Sequence, residues 1–191
     1  MEFTLHYHGP LKAASQRNKR KDHKHDLRKH FHRQLKTLWD TPRLHPHKRF
    51  LRQTAPAEGT WALLQSVGRF EFAPLVCKEL RLVAGVEIVM LRPEPEGRIF
   101  VASGDIDNRL KTLLDALKMP NEVAMLPSSA TPLPDESPFF CLLEDDALIT
   151  NIDIKTAHWL EPAVQDPDEV VLLIRVRTSA TDVVMGNLAF L

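Results

Sequence analysis

The chain has 191 residues, 43% of them hydrophobic, with 25 basic and 25 acidic side chains. That length and apolar content support one domain with its own core. No apolar run approaches the ~20 residues of a membrane-spanning helix, and the start lacks a secretory apolar stretch, so a cytoplasmic protein without membrane partners is expected. The zero net charge hides a division: residues 1–52 hold 14 Lys and Arg against 4 Asp and Glu, and the rest of the chain carries the compensating acidic excess. Eight of the nine histidines also fall in this basic part. Charge segregated in this way suits a phosphate-binding surface beside an acidic site.

Residues 3–8 alternate apolar and polar as a strand does, and Gly9-Pro10 ends them. A polar loop over 12–21 leads to a helix capped by Asp22 or Asp26 and running to about Trp39, with Leu27, Phe31, Leu35 and Leu38 inside and Lys24, Arg28, Lys29, Arg33 and Lys36 outside. Within this basic segment, residues 9–52, the candidate DNA contacts are Lys12, Arg17, Lys19, Arg20, Lys21, Lys24 and Arg28. His23, His25, His30 and His32 are interleaved with lysines that would repel a cation, so they read as further phosphate contacts rather than as a metal centre. Pro42 and Pro46 end the helix. Residues 61–67 fit a short helix or a buried strand, 70–72 alternate briefly, and 79–91 read as a long strand. The turn at 93–97 then feeds a strand at 98–102.

Gly104 punctuates that strand, and a helix capped by Asp105 or Asp107 follows. Leu110, Leu113, Leu114 and Leu117 make its apolar stripe, which leaves Asp107, Lys111 and Asp115 on the other face. Residues 119–143 contain five prolines and little periodicity, so they read as a long looped insertion, either an arm over the site or a tolerated surface loop. Glu144-Asp145-Asp146 precedes a strand over 149–160, and another strand occupies 169–177 after a Pro-rich turn at 162–168. The apolar tail, 185–191, would pack on a partner or on the chain's own sheet. Cys77 and Cys141 lack metal-ligand spacing and read as buried thiols without a role. If the two acidic groups are neighbours, their oxygens suit Mg²⁺ or Mn²⁺ completed by substrate phosphate.

The run Asp105-Ile106-Asp107-Asn108-x-x-Lys111 with Leu114-Asp115-Ala116-Leu117, followed by Asp145-Asp146-Ala147-x-Ile149, resembles the RusA family of Holliday junction resolvases. The resemblance covers residues 98–118 and 143–177. It implies an α/β (α+β) fold, a small mixed β-sheet packed by helices in one domain over 1–191, and a two-fold homodimer. The implied activity is that of a divalent-metal-dependent endodeoxyribonuclease cutting four-way junctions in DNA recombination and repair. Carried over by position, Asp105, Asp107 and Asp146 are the metal carboxylates, and with Lys111 they form the catalytic set. Asp145 or Glu144 would be an auxiliary ligand, and Asn108 and Asp115 supporting residues. Lys111 would stabilise charge on the phosphorane or orient the attacking water. The chain departs from the family in the insertion at 119–143 and in its longer basic run after the first strand. Two other readings are a branched-DNA-binding module that does not cut, and a nuclease acting on flaps or replication forks.

Overall fold

A computed structural model describes residues 1–14, 20–55, 61–93, 106–160 and 166–191. The expected strand at 98–102 with the turn leading into it, Gly104, and the candidate site residues Asp105, Arg17 and Lys19 lie outside the described residues. The fold is mixed α/β, but it contains two sheets where one was expected. Strand β1 (Glu2–Pro10) is followed by helix α1 (Lys21–Trp39), then β2 (Gln65–Val67), β3 (Phe70–Val76) and β4 (Leu82–Arg92). Helix α2 (Ile106–Leu117) comes next, then β5 (Phe139–Leu143), β6 (Ile149–His158) and β7 (Glu169–Ala180). A four-stranded sheet has the order β1-β7-β4-β6, and a three-stranded sheet the order β2-β3-β5.

β4 pairs antiparallel with β7 and parallel with β6, so the chain must return along the sheet between β4 and β6. α2 lies on that return path. Arg109, near its start, bonds the carbonyls of Leu11 and Pro167, beside the end of β1 and the start of β7. β7 starts beside the end of β4, where Leu91 pairs with Val171. The other end of α2 meets the start of β6, because Lys118 bonds Asp146 just before that strand. The helix therefore runs from the finishing end of β4 and β6 back to their starting end.

The main core takes one face of the four-stranded sheet. Leu5, Val86, Ile88, Met90, Leu172, Ile174 and Val176 alternate inward along three strands and meet Leu27, Phe31, Leu35 and Trp39 of α1 and Leu113, Ala116 and Leu117 of α2. Burying each of these large side chains contributes on the order of 1.5–3 kcal/mol. A second cluster, built from Phe70, Phe72, Phe139 and Met119, joins the smaller sheet.

Several sequence expectations change here. The insertion is not all loop, because its last five residues form the fully buried β5, whose unbroken run of apolar side chains lacks the alternation of a half-exposed strand. α1 has no side-chain cap: Arg20 sits at its N-cap with φ 54°, and Asp22 lies inside the first turn rather than before it. Only 65–67 of the ambiguous 61–67 segment are strand. The C-terminal tail packs on its own chain, where Phe190 is buried against Trp39.

Candidate functional site

α2 fixes the placement of every described residue of the motif. Its inward face is set by Leu113, Ala116 and Leu117, and the helix is locked at both ends by buried arginines from its own sequence and from α1. Near the start, the Arg109 guanidinium donates to the Leu11 carbonyl at 2.9 Å and the Pro167 carbonyl at 3.0 Å, and to Asp168 Oδ1 at 2.8 Å. At the finish, Arg28 of α1 donates to the carbonyls of Asp115 at 2.8 Å and Lys118 at 3.3 Å. A cation there satisfies carbonyls that have no partner within the helix and opposes the negative end of its dipole.

With its apolar face held in this way, α2 presents Asp107, Asn108 and Lys111 to solvent. Neither Asp107 nor Lys111 makes an ion pair with a described residue, although four-residue spacing would allow one. Asp115, one turn further on, does not steer Lys111. Its carboxylate accepts from Lys24 of α1 at 2.6 Å and lies 3.7 Å from Lys118.

Lys118 bridges to the second acidic group, its ammonium 2.9 Å from Asp146 Oδ2. The lysine holds the Asp146 carboxyl below the ordinary carboxylate range. Lys24, Asp115, Lys118 and Asp146 thus form an alternating chain of charge from α1 to the start of β6. The neighbouring acids point elsewhere. Asp145 Oδ1 accepts from the Ala147 N–H at 2.8 Å, and Glu144 Oε2 from the Lys78 N–H at 2.8 Å. Glu144 and Asp145 line a cleft of about 240 Å³ with Lys78, Gln65, Ser66 and Asn121.

The two halves of the predicted site therefore stand at opposite ends of one helix. Eleven residues separate Asp107 from Lys118, the partner of Asp146, which at 1.5 Å per residue is about 16 Å along the axis. Carboxylate oxygens are the right donors for Mg²⁺ or Mn²⁺, but among the described residues no three His, Cys, Asp or Glu side chains gather closely enough to hold an ion. Asp107 and Asp146 of one chain do not meet.

The basic segment is also rearranged relative to its sequence reading. Arg28, expected on the outer face, is buried and tied to α2, and Lys24 is committed to Asp115. Lys21 is exposed, while Arg20 is half-buried with its Nε donating to the Ala13 carbonyl. Lys12 is half-buried, and its N–H donates to His23 Nε2 at 3.1 Å. Lys21, Lys24, Arg28, Asp115 and Glu122 border a cleft of about 270 Å³ where α1 begins and α2 ends.

Two of the histidines read as phosphate contacts are held inside the protein, and His23 and His30 are half-buried. His25 and His32 are buried, stacked on Phe139 and Phe140 respectively. His32 Nδ1 accepts the Phe140 N–H at 2.8 Å, which requires the neutral ring, with its proton on Nε2 facing the Asp135 carbonyl. Burial lowers the pKa of both rings, that of His25 to about 4. Burial likewise pushes the Cys77 thiol up to about 12 and the Cys141 thiol higher still, so neither is a nucleophile at neutral pH.

Sequence reasoning missed Lys118 and Arg109. Lys118 stands one residue beyond the helical pattern, and Arg109 falls at an unspecified position of the motif, outside its leucine stripe. Comparison with models of protein families, with curated proteins and with solved structures finds no match.

Proposed function

We propose that this protein is a divalent-metal-dependent, structure-selective endodeoxyribonuclease acting on four-way DNA junctions as a two-fold dimer, as its resemblance to the RusA resolvases implies. The observation that carries the reading is the placement of Asp107 and Lys111. α2 holds an exposed acid and an exposed base one turn apart, neither ion-paired to a described residue, on the face opposite a buried apolar stripe. Asp107 lies in the first turn of α2, where its charge suits the helix dipole, but neither it nor Lys111 is drawn into the core, and both stay available to a ligand. Asp105, directly before that helix in the sequence, completes the motif.

In this reading Asp105, Asp107 and Asp146, with Asp145 or Glu144 as auxiliary, would provide the oxygens for Mg²⁺ or Mn²⁺ only where a second copy brings together the groups that one chain keeps apart. A bound ion would lower the pKa of a coordinated water and offset charge on the scissile phosphate. Lys111 places an ammonium beside that phosphate, where it stabilises developing negative charge. Asn108 orients the neighbouring carboxylate. The exposed cations of the basic segment, Lys21 foremost, position the DNA backbone. Asp115 keeps Lys24 and Lys118 in place rather than acting on substrate.

The separation of Asp107 from Asp146 favours one second reading, a branched-DNA-binding module that does not cut. Binding and cutting of a synthetic four-way junction by the wild type and Asp107→Asn separate the two. Metal-dependent cutting that Asp107→Asn loses while it still binds supports the nuclease. Binding by both without cutting supports the module, and cutting of flaps or forks alone replaces the substrate.

A further inference from the structure

The strand edges of this fold are treated unequally. β1 is one edge of the four-stranded sheet, and α1 closes it with a side chain. Gln34 Oε1 accepts the His6 N–H at 3.0 Å and its Nε2 donates to the His6 carbonyl at 2.8 Å, as a neighbouring strand would. β5 is an edge of the smaller sheet, and His32 of α1 takes the N–H of Phe140 there. Among the described residues β6 has no such cover. It pairs with β4 on one side, and among the described residues nothing pairs with its other side along ten residues that contain no proline. Ile152 is 38% exposed on this strand. A long open edge with an exposed isoleucine is a template for another strand, and proteins normally block such an edge unless they use it.

We propose that β6 pairs with β6 of a second copy of this chain, antiparallel, about a two-fold axis at Ile154. The register follows from two requirements. Side chains alternate between faces, so a sheet continued across the axis must oppose odd-numbered residues to odd and even to even. For the ten residues of β6, two such registers centre the overlap, with axes at Asp153 and at Ile154. An axis at Asp153 opposes that carboxylate to itself. An axis at Ile154 places Asp153 opposite the partner's Lys155, twice by symmetry, with Ile152 facing Thr156 on the core side. Both charged side chains are exposed and already lie 3.7 Å apart within one strand, on the face turned from the core.

This pairing has a consequence for the acidic groups. β6 starts next to Asp145-Asp146, and its finishing end lies at the same end of the four-stranded sheet as the start of α2, which Arg109 anchors beside the end of β1 and the start of β7. Antiparallel pairing brings the start of the partner's β6, and its acidic pair, to the end of the sheet that carries Asp107 and Lys111. Each end of the dimer then holds one half of the acidic set from each chain.

The pairing stands on the strand edge alone, and its test reads oligomeric state, so it can fail or hold independently of the nuclease reading. Sedimentation equilibrium of the full chain at micromolar concentration should give a dimer. Asp153→Lys and Lys155→Asp each place like charges opposite one another twice, and each should weaken the dimer at least about tenfold, while the double exchange restores it. Circular dichroism of each variant confirms that the monomer is folded. A monomeric wild type, or single variants that dimerise as tightly as the wild type, would overturn the proposal.

Discussion

Arg109 illustrates how far a charged residue in a functional-looking motif can serve the fold. It is fully buried, and its bonds join α2 to both the end of β1 and the loop before β7. Arg109→Met leaves those carbonyls and Asp168 without their donor, and should cost about 3 kcal/mol in urea unfolding. Asp107→Asn, exposed and without an ion pair among the described residues, should change the unfolding free energy by no more than about 0.5 kcal/mol. The contrast matters because any loss of function in Asp107→Asn then reflects chemistry rather than folding. Lys118 is testable at the same scale. Its ammonium holds Asp146 in the charged form, so Lys118→Met should raise the Asp146 pKa toward the ordinary carboxylate value, read by carbon NMR titration.

At the scale of elements, α1 couples the two sheets to pH. The buried rings of His25 and His32 have lowered pKa values in the folded chain, so the unfolded chain binds protons more readily between those values and 6.5. Their contribution to stability is complete above about pH 6.5 and is lost as pH falls from there toward 4. Unfolding midpoints should be level from pH 7 to 8 and decline below 6.5, and His25→Phe should flatten that decline.

The same helix shows what its sequence disclosed. Leu27, Phe31 and Leu35 announced one buried stripe by their spacing, and the structure keeps it. Arg28 and His32 extend the buried face because the carbonyls of α2 and the N–H of β5 are there to receive them, and no local pattern encodes partners about 90 or more residues away. β5 escaped notice for a related reason, since a strand buried on both faces has no alternation to read. In α2 the leucines were legible, whereas the distance between Asp107 and Asp146 was not, because it depends on which end of the helix meets β6.

For the whole molecule, the proposed binding of DNA rests on the division of charge rather than on the zero net charge. Lys21 is exposed and Arg28 is buried, although both belong to the same basic run. Lys21→Gln should weaken binding to all DNA and reduce the slope of log affinity against log salt by about 1, as loss of one phosphate contact does. Buried Arg28, committed to α2, should contribute nothing to that slope. In the proposed β6 dimer a single chain is half of a working unit, and the placement of Asp107 and Asp146 toward opposite ends of α2 fits that proposal.

The nuclease assignment is tested most directly by incubating the full chain with an end-labelled four-way junction in Mg²⁺, beside linear duplex and flap controls and the Asp107→Asn variant. Paired, symmetric nicks in opposing strands of the junction, absent without metal and absent in Asp107→Asn despite intact binding, are expected. An intact junction bound by the wild type in Mg²⁺ and in Mn²⁺ would contradict the assignment and leave a DNA-binding protein.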